Sequence, residues 1–277
     1  MTISGTTHLY GIIGHPVRHS LSPAMHNAAF QALGLNCVYL PFQAVDVAAA
    51  LNGLRALGID GVSVTIPHKE AVIPLLDEVD PLAARIGAVN TIRVERRHDQ
   101  VVLVGSNSDW QGANQALLAV TALSGKRVVL LGAGGSARAI GFGLQQEGAL
   151  VSLCSRTEAR GRALAADLEC HWTALAEHHG LTGDILINAT SVGMNDPENS
   201  PVAVSLLDRF SVVMDIVYAP LTTRLLLDAE ARGCQTVNGL EMLLYQGAAQ
   251  FELWTGQPAP VAVMRRALYQ ASNNVLA

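Results

Sequence analysis

Short apolar runs alternate with longer amphipathic segments along most of the chain. Three early runs, HLYGIIG (8–14), CVYLPFQ (37–43) and GVSVTI (61–66), have the length and the β-branched content of strands, and each precedes a helix-like pattern. The alternation resumes at residue 126 with KRVVLLG, LVSLCSR, DILINAT and SVVMDIVY. Repeated strand–helix units are typical of parallel sheets covered by helices, so the sequence predicts an α/β fold.

Two departures from this alternation bear on the organisation of the chain. Residues 91–105 (TIRVERRHDQVVLVG) contain two β-rich runs around a polar turn, which predicts a hairpin. The pattern changes again between residues 105 and 125, where we place a domain boundary. The segments GLEMLLYQGAAQFELWTG and VAVMRRALYQASNN predict two closing helices, whose packing partners cannot be inferred from the pattern.

Composition narrows the functional classes. Of 277 residues, 50% are hydrophobic and 15% charged, and the net charge of −5 includes no long basic run, so no nucleic-acid surface is expected. The four scattered cysteines fit free thiols in a reducing cytosol. The N-terminus lacks the pattern of a signal peptide, and no apolar run reaches the ~18 residues of a membrane span. These features predict a cytoplasmic protein.

A glycine-rich turn follows the strand at residues 126–131. It has the pattern GxGxxA and comprises Gly132, Ala133, Gly134, Gly135, Ser136 and Ala137. Glycines here permit a tight turn and let a pyrophosphate approach the backbone, while a small sixth residue allows close helix–strand packing. Between a strand and a helix this pattern predicts a dinucleotide site; a turn without a ligand is the alternative.

The end of the next strand favours NADP over NAD. NAD sites usually carry an acidic residue about 20 residues after the glycine turn, to bind the ribose 2′-hydroxyl. This chain has Ser155 and Arg156 there, with Arg160 one turn later. Arginines can bind a 2′-phosphate, which an acid would repel. Arginines on a solvated helix start are the alternative, more so for Arg160.

Lys69 occupies an unusual place in the pattern. The segment after Pro67 (KEAVIPLLDEV) predicts a helix with Lys69 in its first turn, the end that disfavours a cation. Lys69 is therefore either a solvated surface residue or one whose proton takes part in a reaction.

Several other polar residues have both a structural and a functional interpretation. Ser22 and Pro23 fit the N-cap and first position of a helix, and Asp109 fits the N-cap of the next one. Capping is compatible with a role in a site. His15, His19 and His26 cluster in the sequence but lack the cysteine or acidic neighbours of a metal site, so we expect no metal.

Eight ordered segments resemble the signature blocks of the shikimate dehydrogenase family. They span residues 11–256 and read GIIGHPVRHSLSPAMHN, GVSVTIPHK, GAVNTI, GSNSDWQG, GAGGSARA, INATSVGM, DIVYAPLTT and GLEMLLYQGAAQFELWTG. The resemblance implies two α/β domains facing each other across a cleft. The first would be a mostly parallel substrate domain of residues 1–108 and 241–277, to which the C-terminal helices return; the second, residues 109–240, would be a Rossmann-type NADP domain. It also implies the NADP-linked interconversion of shikimate and 3-dehydroshikimate in aromatic amino-acid biosynthesis.

The resemblance also implies roles for individual residues. Lys69 and Asp109 would handle the proton of the reacting hydroxyl. The substrate contacts would be Ser20, Ser22, Thr65, Asn90, Tyr218 and Gln246. Besides the glycine turn, the cofactor contacts would be Ser155, Arg156, Thr157, Arg160, Thr190 and Gly239.

Three serines depart from common family residues and leave the substrate range open. Ser63 replaces a frequent Asn, Ser155 replaces a commoner Asn, and Ser108 keeps the hydroxyl of a Thr. A smaller residue at position 63 could admit quinate. The alternatives are therefore a quinate/shikimate dehydrogenase of broader substrate or cofactor range and, in another class, a non-catalytic dinucleotide-sensing regulator. The family contains monomers and homodimers.

Overall fold

In the computed structural model, which describes residues 3–98 and 100–275, the chain divides into two units. The described residues up to Ser108 together with Gln246–Val275 form the first unit, and Asp109–Tyr245 form the second. The chain thus returns to the first unit between Tyr245 and Gln246, whereas the sequence placed this point at residue 241.

The first unit contains a six-stranded sheet of mixed direction. In chain order its strands are β1 (His8–Gly14), β2 (Cys37–Gln43), β3 (Gly61–Val64), β4 (Glu78–Val79), β5 (Thr91–Arg97) and β6 (Gln100–Ser106). Their spatial order is β2-β1-β3-β5-β6-β4. The pairs β1–β2, β1–β3 and β4–β6 are parallel, and β5 pairs antiparallel with both β3 and β6. The predicted hairpin at residues 91–105 is confirmed.

Helices border both faces of this sheet. They are α1 (Ser22–Ala32), α2 (Val47–Leu57) and α3 (Pro81–Ile86), followed much later in the chain by α8 (Gly239–Thr255) and α9 (Val261–Val275). On one face, alternate residues of β3 such as Val62 and Val64 join Leu51 and Leu54 of α2 in an apolar core. On the other face, β3 presents Gly61 and Ser63 to α8. The two predicted closing helices are confirmed.

The second unit is a six-stranded sheet in which every described pairing is parallel. Its strands are β7 (Arg127–Leu131), β8 (Leu150–Ser155), β9 (His171–Ala174), β10 (Ile185–Asn188), β11 (Val212–Asp215) and β12 (Gln235–Val237). Its helices are α4 (Asp109–Leu118), α5 (Gly135–Gln146), α6 (Glu158–Asp167) and α7 (Arg224–Ala231). The order β12-β11-β10-β7-β8-β9 changes direction between β7 and β10, which is the switch point of a Rossmann-type sheet.

The α/β class with two sheets is therefore confirmed, but the helix predicted after Pro67 is wrong. Residues 66–72 form turns, and a single 3₁₀ turn follows at Ile73–Leu75. Pro74 contributes to the difference, because it cannot donate the backbone hydrogen bond that would continue a helix from residues 69–72. The preference of helix ends for particular charges hence does not apply to Lys69.

No helix in the described part of the chain is both long and apolar enough to cross a bilayer.

A buried carboxylate holds the carboxyl edge of the second sheet. Asp215, fully buried at the end of β11, accepts hydrogen bonds from the Thr223 hydroxyl (2.7 Å), the Val217 amide (3.0 Å) and the Asn188 side chain (2.9 Å). Thr223 also caps α7, so Asp215 connects β10, β11 and α7. Burial outweighs these hydrogen bonds and raises the pKa of Asp215 from 3.8 to about 6.

The raised pKa of Asp215 predicts a pH dependence of stability. Because the folded state takes up this proton at a higher pH than the unfolded chain, the contribution of Asp215 to the free energy of unfolding should fall as pH rises from about 4 to about 6. Chemical unfolding of the protein and of Asp215→Asn across this range should show their difference decreasing with pH, by on the order of 2–3 kcal/mol.

Asp184→Asn is the control with the opposite sign. Hydrogen bonds from the Arg127 amide and then from the Arg127 guanidinium lower the pKa of Asp184 below 3.8. The contribution of Asp184 to the free energy of unfolding should therefore be lost as pH falls below about 4, and should not change between about pH 4 and pH 6. A pH-independent difference for Asp215→Asn would contradict the assignment.

A second prediction concerns the contact of β3 with α8. A Cβ at Gly61 would lie 2.5 Å from Trp254 Nε1 and 3.0 Å from the Ile92 carbonyl oxygen, so Gly61→Ala should lower the free energy of unfolding by about 1–3 kcal/mol. Gly53 lies within α2 with no described atom near its added Cβ, so Gly53→Ala should raise it by about 0.5–1 kcal/mol. Urea unfolding measures both, and equal effects would contradict the close packing at Gly61.

Candidate functional site

Two segments that carry predicted substrate residues of the first unit lie side by side at the carboxyl edge of its sheet. β1 and β3 are parallel neighbours, so the segments that follow Gly14 and Val64 emerge side by side. The Thr65 amide donates to the Ile13 carbonyl (3.0 Å), and the His15 amide donates to the Ile66 carbonyl (3.0 Å). These bonds join the two segments at this edge.

Lys69 lies half-buried in the turn that follows β3. Its backbone carbonyl accepts a hydrogen bond from the Val89 amide (2.8 Å), which places Lys69 beside the residue preceding Asn90. The buried His68 ring makes a 2.7 Å hydrogen bond with the Ala44 carbonyl and anchors the same turn to the end of β2. The position of Lys69 therefore follows from backbone bonds and one histidine contact.

Asn90 is buried immediately before β5 and has a dense set of partners. Its Oδ1 accepts from the Ser108 amide (2.8 Å) and from the Thr91 hydroxyl (2.7 Å). Its Nδ2 donates to Ser108 Oγ (3.1 Å) and to Gln246 Oε1 (3.4 Å). The structure thus brings together two of the predicted substrate residues, Asn90 and Gln246, although 156 positions separate them.

Ser20 and Ser22 lie at the start of α1, but not with the predicted cap. Leu21 occupies the N-cap and makes no side-chain cap bond, whereas Ser22 is the first helical residue. The Ser22 amide donates to Ser20 Oγ (3.3 Å), so Ser20 provides the hydroxyl that serves this helix end. The N-cap predicted for Ser22 is therefore wrong, because the helix begins one residue earlier than the capping pattern indicated.

Ser63, the departure from the common family Asn, has both hydroxyl bonds inside the first unit. It accepts from the Tyr39 hydroxyl (2.7 Å) and donates to Gln250 Oε1 (2.7 Å). It is buried, as are both partners. The Ser63 hydroxyl thus binds other side chains of the protein.

Asp109 and Tyr218 belong to the second unit. Asp109 is buried and is the first helical residue of α4. The N-cap predicted for Asp109 is therefore wrong, because the helix begins one residue earlier than the pattern indicated. Tyr218 is half-buried in the loop after β11, and burial raises the pKa of its hydroxyl.

The glycine-rich turn contains one glycine that the fold requires and one that leaves open space. Gly132 has φ +115°, and a Cβ there would lie 2.8 Å from the Ala189 carbonyl oxygen, so the fold itself requires glycine. Gly134, at the N-cap of α5, has ordinary extended backbone and no described atom within 4 Å of an added Cβ. Glycine at 134 hence leaves open space at a helix N-terminus, which fits an approaching phosphate. Ala137 is fully buried where α5 packs on the sheet.

The predicted cofactor residues after β8 differ in burial and in the partners that they already have. Ser155 is buried, accepts from Trp172 Nε1 (2.9 Å) and donates to the Thr157 carbonyl (3.3 Å), so its hydroxyl serves the fold. Arg156, Thr157 and Arg160 are exposed. Within the described residues, neither Arg156 nor Arg160 has a side-chain hydrogen bond or ion pair, which leaves two guanidinium groups for an anion.

Thr190 and Gly239 lie close to the edge held by Asp215. The Thr190 hydroxyl donates to Asn188 Oδ1 (2.6 Å) and accepts from the Val192 amide (3.1 Å). Gly239 begins α8, and a Cβ there would lie 2.7 Å from the Val217 carbonyl oxygen. Close approach of this helix start to the loop after β11 explains the glycine without a ligand.

Three residues that the sequence did not single out complete the polar cluster of the first unit. Tyr39, Thr91 and Gln250 are almost fully buried and hydrogen-bonded. Gln250 lies four residues after Gln246 and so on the same face of α8. The second glutamine on that apolar face is the sequence feature from which Gln250 could have been predicted as a buried polar residue.

The described residues contain no group of three or more histidine, cysteine, aspartate and glutamate side chains that could hold a metal ion.

Comparisons with known proteins relate the whole chain to one family. The model of the shikimate dehydrogenase substrate binding domain matches residues 12–92, and that of the shikimate 5′-dehydrogenase C-terminal domain matches residues 239–269. Shikimate dehydrogenase (NADP(+)) of Moorella thermoacetica is 48% identical over 97% of this chain and 95% of its own length. That of Thermococcus kodakarensis is 47% identical over 94% of this chain and 96% of its own.

A solved structure agrees with these relatives. Shikimate 5-dehydrogenase of Thermus thermophilus, in complex with NADP(H) and shikimate, is 38% identical, has a TM-score of 0.88 and covers 96% of this chain and 100% of its own. Identity at this level over almost the full length of both chains shows common family membership, and the chain belongs to the shikimate dehydrogenase family.

Proposed function

We propose that the protein is an NADP-dependent shikimate dehydrogenase, which reversibly reduces 3-dehydroshikimate to shikimate. The observation that carries the proposal is the buried pair of Asn90 and Gln246, brought within 3.4 Å beside the turn that holds Lys69. Such a set of neutral amides and hydroxyls suits a small polyol, because each amide both donates and accepts. A protein that only sensed a dinucleotide would not need these residues.

In the proposed reaction, Lys69 moves the proton of the reacting hydroxyl. In the oxidative direction the C–H bond of the carbinol carbon breaks with loss of hydride, and the hydroxyl proton passes to a neutral Lys69 Nζ as the carbonyl forms. In the reductive direction the Lys69 ammonium returns that proton to the oxygen. Bound NADP supplies the nicotinamide that accepts or returns the hydride. We assign Asp109 to orient the hydroxyl and share its proton.

The remaining substrate contacts are assigned by position. Ser20 and Ser22 at the start of α1, with Thr65 after β3, would bind the carboxylate, with Tyr218 as a further hydroxyl donor. Hydroxyl donors near a helix N-terminus can hold an anion without an arginine. Asn90 and Gln246 would bind ring hydroxyls.

The cofactor assignment rests on the glycine turn and the two exposed arginines. Backbone amides from Gly134 onward would bind the pyrophosphate, and Arg156 and Arg160 would bind the 2′-phosphate. We keep Thr190 and Gly239 as proposed neighbours of the cofactor, and Ser155 and Thr157 as proposed residues of its ribose end. The enzyme would act in the cytoplasm as a monomer or a homodimer on its small-molecule substrate, with neither a nucleic acid nor a membrane as a partner.

The first test is initial-rate oxidation of shikimate with NADP⁺ by the purified protein. Turnover that prefers shikimate and NADP⁺ to quinate and NAD⁺ is expected. Faster turnover of quinate or with NAD⁺ would favour the broader quinate/shikimate enzyme. Binding of NADP without turnover of either substrate would contradict the enzyme and favour the regulator.

Lys69→Ala tests the proton transfer. Removing a general acid or base costs about 10²–10⁴-fold, so kcat should fall by that factor while the affinity for NADP⁺ is retained. The chain has one other lysine, so Lys126→Ala is the matched control and should leave kcat unchanged. Retention of more than a tenth of kcat in Lys69→Ala would contradict the assignment.

Arg156→Ala tests the choice of cofactor. Loss of a charge-assisted contact to the 2′-phosphate should raise KM for NADP⁺ about ten- to a hundredfold and leave KM for NAD⁺ unchanged. Arg162 is the control, because it already pairs with Glu158 at 2.8 Å and stacks over Trp172. Equal changes in KM for both cofactors would contradict a contact to the 2′-phosphate.

A further inference from the structure

A chain of buried hydrogen bonds crosses the first unit beneath α8 and ends at Asn90. Its members beyond the proposed substrate contacts are Tyr39 (0% exposed), Ser63 (5%), Gln250 (1%) and Thr91 (0%). The links are Tyr39 hydroxyl to Ser63 Oγ (2.7 Å), Ser63 Oγ to Gln250 Oε1 (2.7 Å), and Gln250 Nε2 to Thr91 Oγ1 (2.9 Å). The Thr91 hydroxyl then reaches Asn90 Oδ1 (2.7 Å). Every link lies within one unit of the fold.

The first link has a fixed donor. The Tyr39 hydroxyl donates to Ser63, whose single proton goes to Gln250, and the Tyr39 ring is held by stacking on His26 at 4.4 Å and 11°. The Asn90 backbone carbonyl can only accept, so its 3.2 Å contact with Gln250 Nε2 fixes the amide nitrogen toward β5 and leaves Gln250 Oε1 facing Ser63.

The amide orientation of Gln250 then decides which way Thr91 points. Gln250 Nε2 donates to Thr91 Oγ1 and to the Asn90 carbonyl (3.2 Å), so the Thr91 proton is directed to Asn90 Oδ1. The Ser108 amide donates to the same oxygen. With Oδ1 accepting both bonds, the Nδ2 group of Asn90 faces Gln246 Oε1. An amide turned the other way would place two oxygens against each other.

This arrangement presents a donor next to an acceptor. A ring hydroxyl inserted between Asn90 Nδ2 and Gln246 Oε1 can accept from the first and donate to the second in place of their 3.4 Å contact, whereas a C–H can do neither. Sites that bind a hydroxyl in this way discriminate strongly against analogues lacking it. The discrimination depends on the amide orientation of Asn90, which Thr91, directed by Gln250, sets together with Ser108. Gln250 and Thr91 do so without being assigned any substrate contact.

We propose that Gln250 and Thr91 are positioning residues that fix the Asn90 amide and thereby make the enzyme selective for the ring hydroxyl bound there. The inference rests on the proposed function and adds residues that the assigned substrate contacts do not include. Tyr39 and Ser63 lie at the opposite end of this series of hydrogen bonds from Asn90 and bind the Gln250 oxygen.

Gln250→Glu is the most direct variant, because it keeps the shape and removes the amide donor. A carboxylate cannot donate to Thr91, so the Thr91 hydroxyl would turn toward it and leave Asn90 Oδ1. The selectivity ratio is kcat/KM for shikimate divided by kcat/KM for the monodeoxy analogue that lacks the ring hydroxyl bound by Asn90. We expect this ratio to fall about tenfold in the variant. The change should appear mainly in KM for shikimate, with KM for NADP⁺ unchanged.

Thr91→Val is a second variant, in case the buried carboxylate prevents folding. It removes the hydroxyl with little change of shape and should lower the same selectivity ratio about tenfold. Trp254→Phe is the matched control: Trp254 lies on the same helix and donates to the Ile92 carbonyl of β5 (3.2 Å), outside the chain of bonds. It should lower the Tm without changing the selectivity ratio.

The outcomes separate the two levels of the proposal. An unchanged ratio in both Gln250→Glu and Thr91→Val, or an equal change in Trp254→Phe, overturns the positioning role while leaving the dehydrogenase activity in place. Wild-type protein that does not oxidise shikimate overturns the proposed function and this inference together. A lowered ratio in Gln250→Glu or Thr91→Val, with Trp254→Phe unchanged, supports the inference.

Discussion

The first unit depends on the need to hydrogen-bond the polar side chains that it buries beneath α8. Ser63, Asn90 and Thr91 lie on or beside central strands where water does not reach, and a buried donor or acceptor left without a partner costs about 1–3 kcal/mol. Gln250 supplies both an acceptor and donors to this group. The chain must therefore return from the second unit before the first can be completed.

The same contacts that complete the core also build the proposed substrate site. Gln246 and Gln250 lie one helical turn apart on α8, and both bond to groups at the start of β5. Gln250 faces the core, and Gln246 reaches Asn90 at the edge of the sheet. The proposed site therefore couples stability to substrate recognition, because one helix face would provide partners for both.

The proposed ligand groups of the second unit are mainly backbone amides, whereas those of the first unit are mainly side chains. Gly132 and Gly134 keep side chains away from the start of α5, and Asp215 and Asn188 tie the loops at the same edge of the sheet. Such an edge presents amide groups and a helix N-terminus, which suit phosphates. The first unit presents hydroxyl and amide side chains, which suit a polyol and its carboxylate.

The sequence predicted most of the elements and misplaced details that depend on long-range contacts. Strand–helix alternation indicated the two sheets, the hairpin and the closing helices, because these follow from local periodicity. The helix expected after Pro67 does not form, since Pro74 and the bond from Val89 to the Lys69 carbonyl favour turns.

The roles of Ser63 and Gln250 could not be inferred, because these two partners lie 187 positions apart. The roles of Lys69, Asp109 and the proposed ligand contacts stay predictions.

A crystal structure of the protein with bound shikimate, at better than about 1.2 Å so that amide nitrogen and oxygen can be told apart, tests the central claim most directly. We expect a ring hydroxyl to accept from Asn90 Nδ2, with Asn90 Oδ1 bound to Thr91 and with Ser63 and Gln250 out of contact with the ligand. A ligand bound to Ser63 or Gln250, or an Asn90 amide turned the other way, would contradict it.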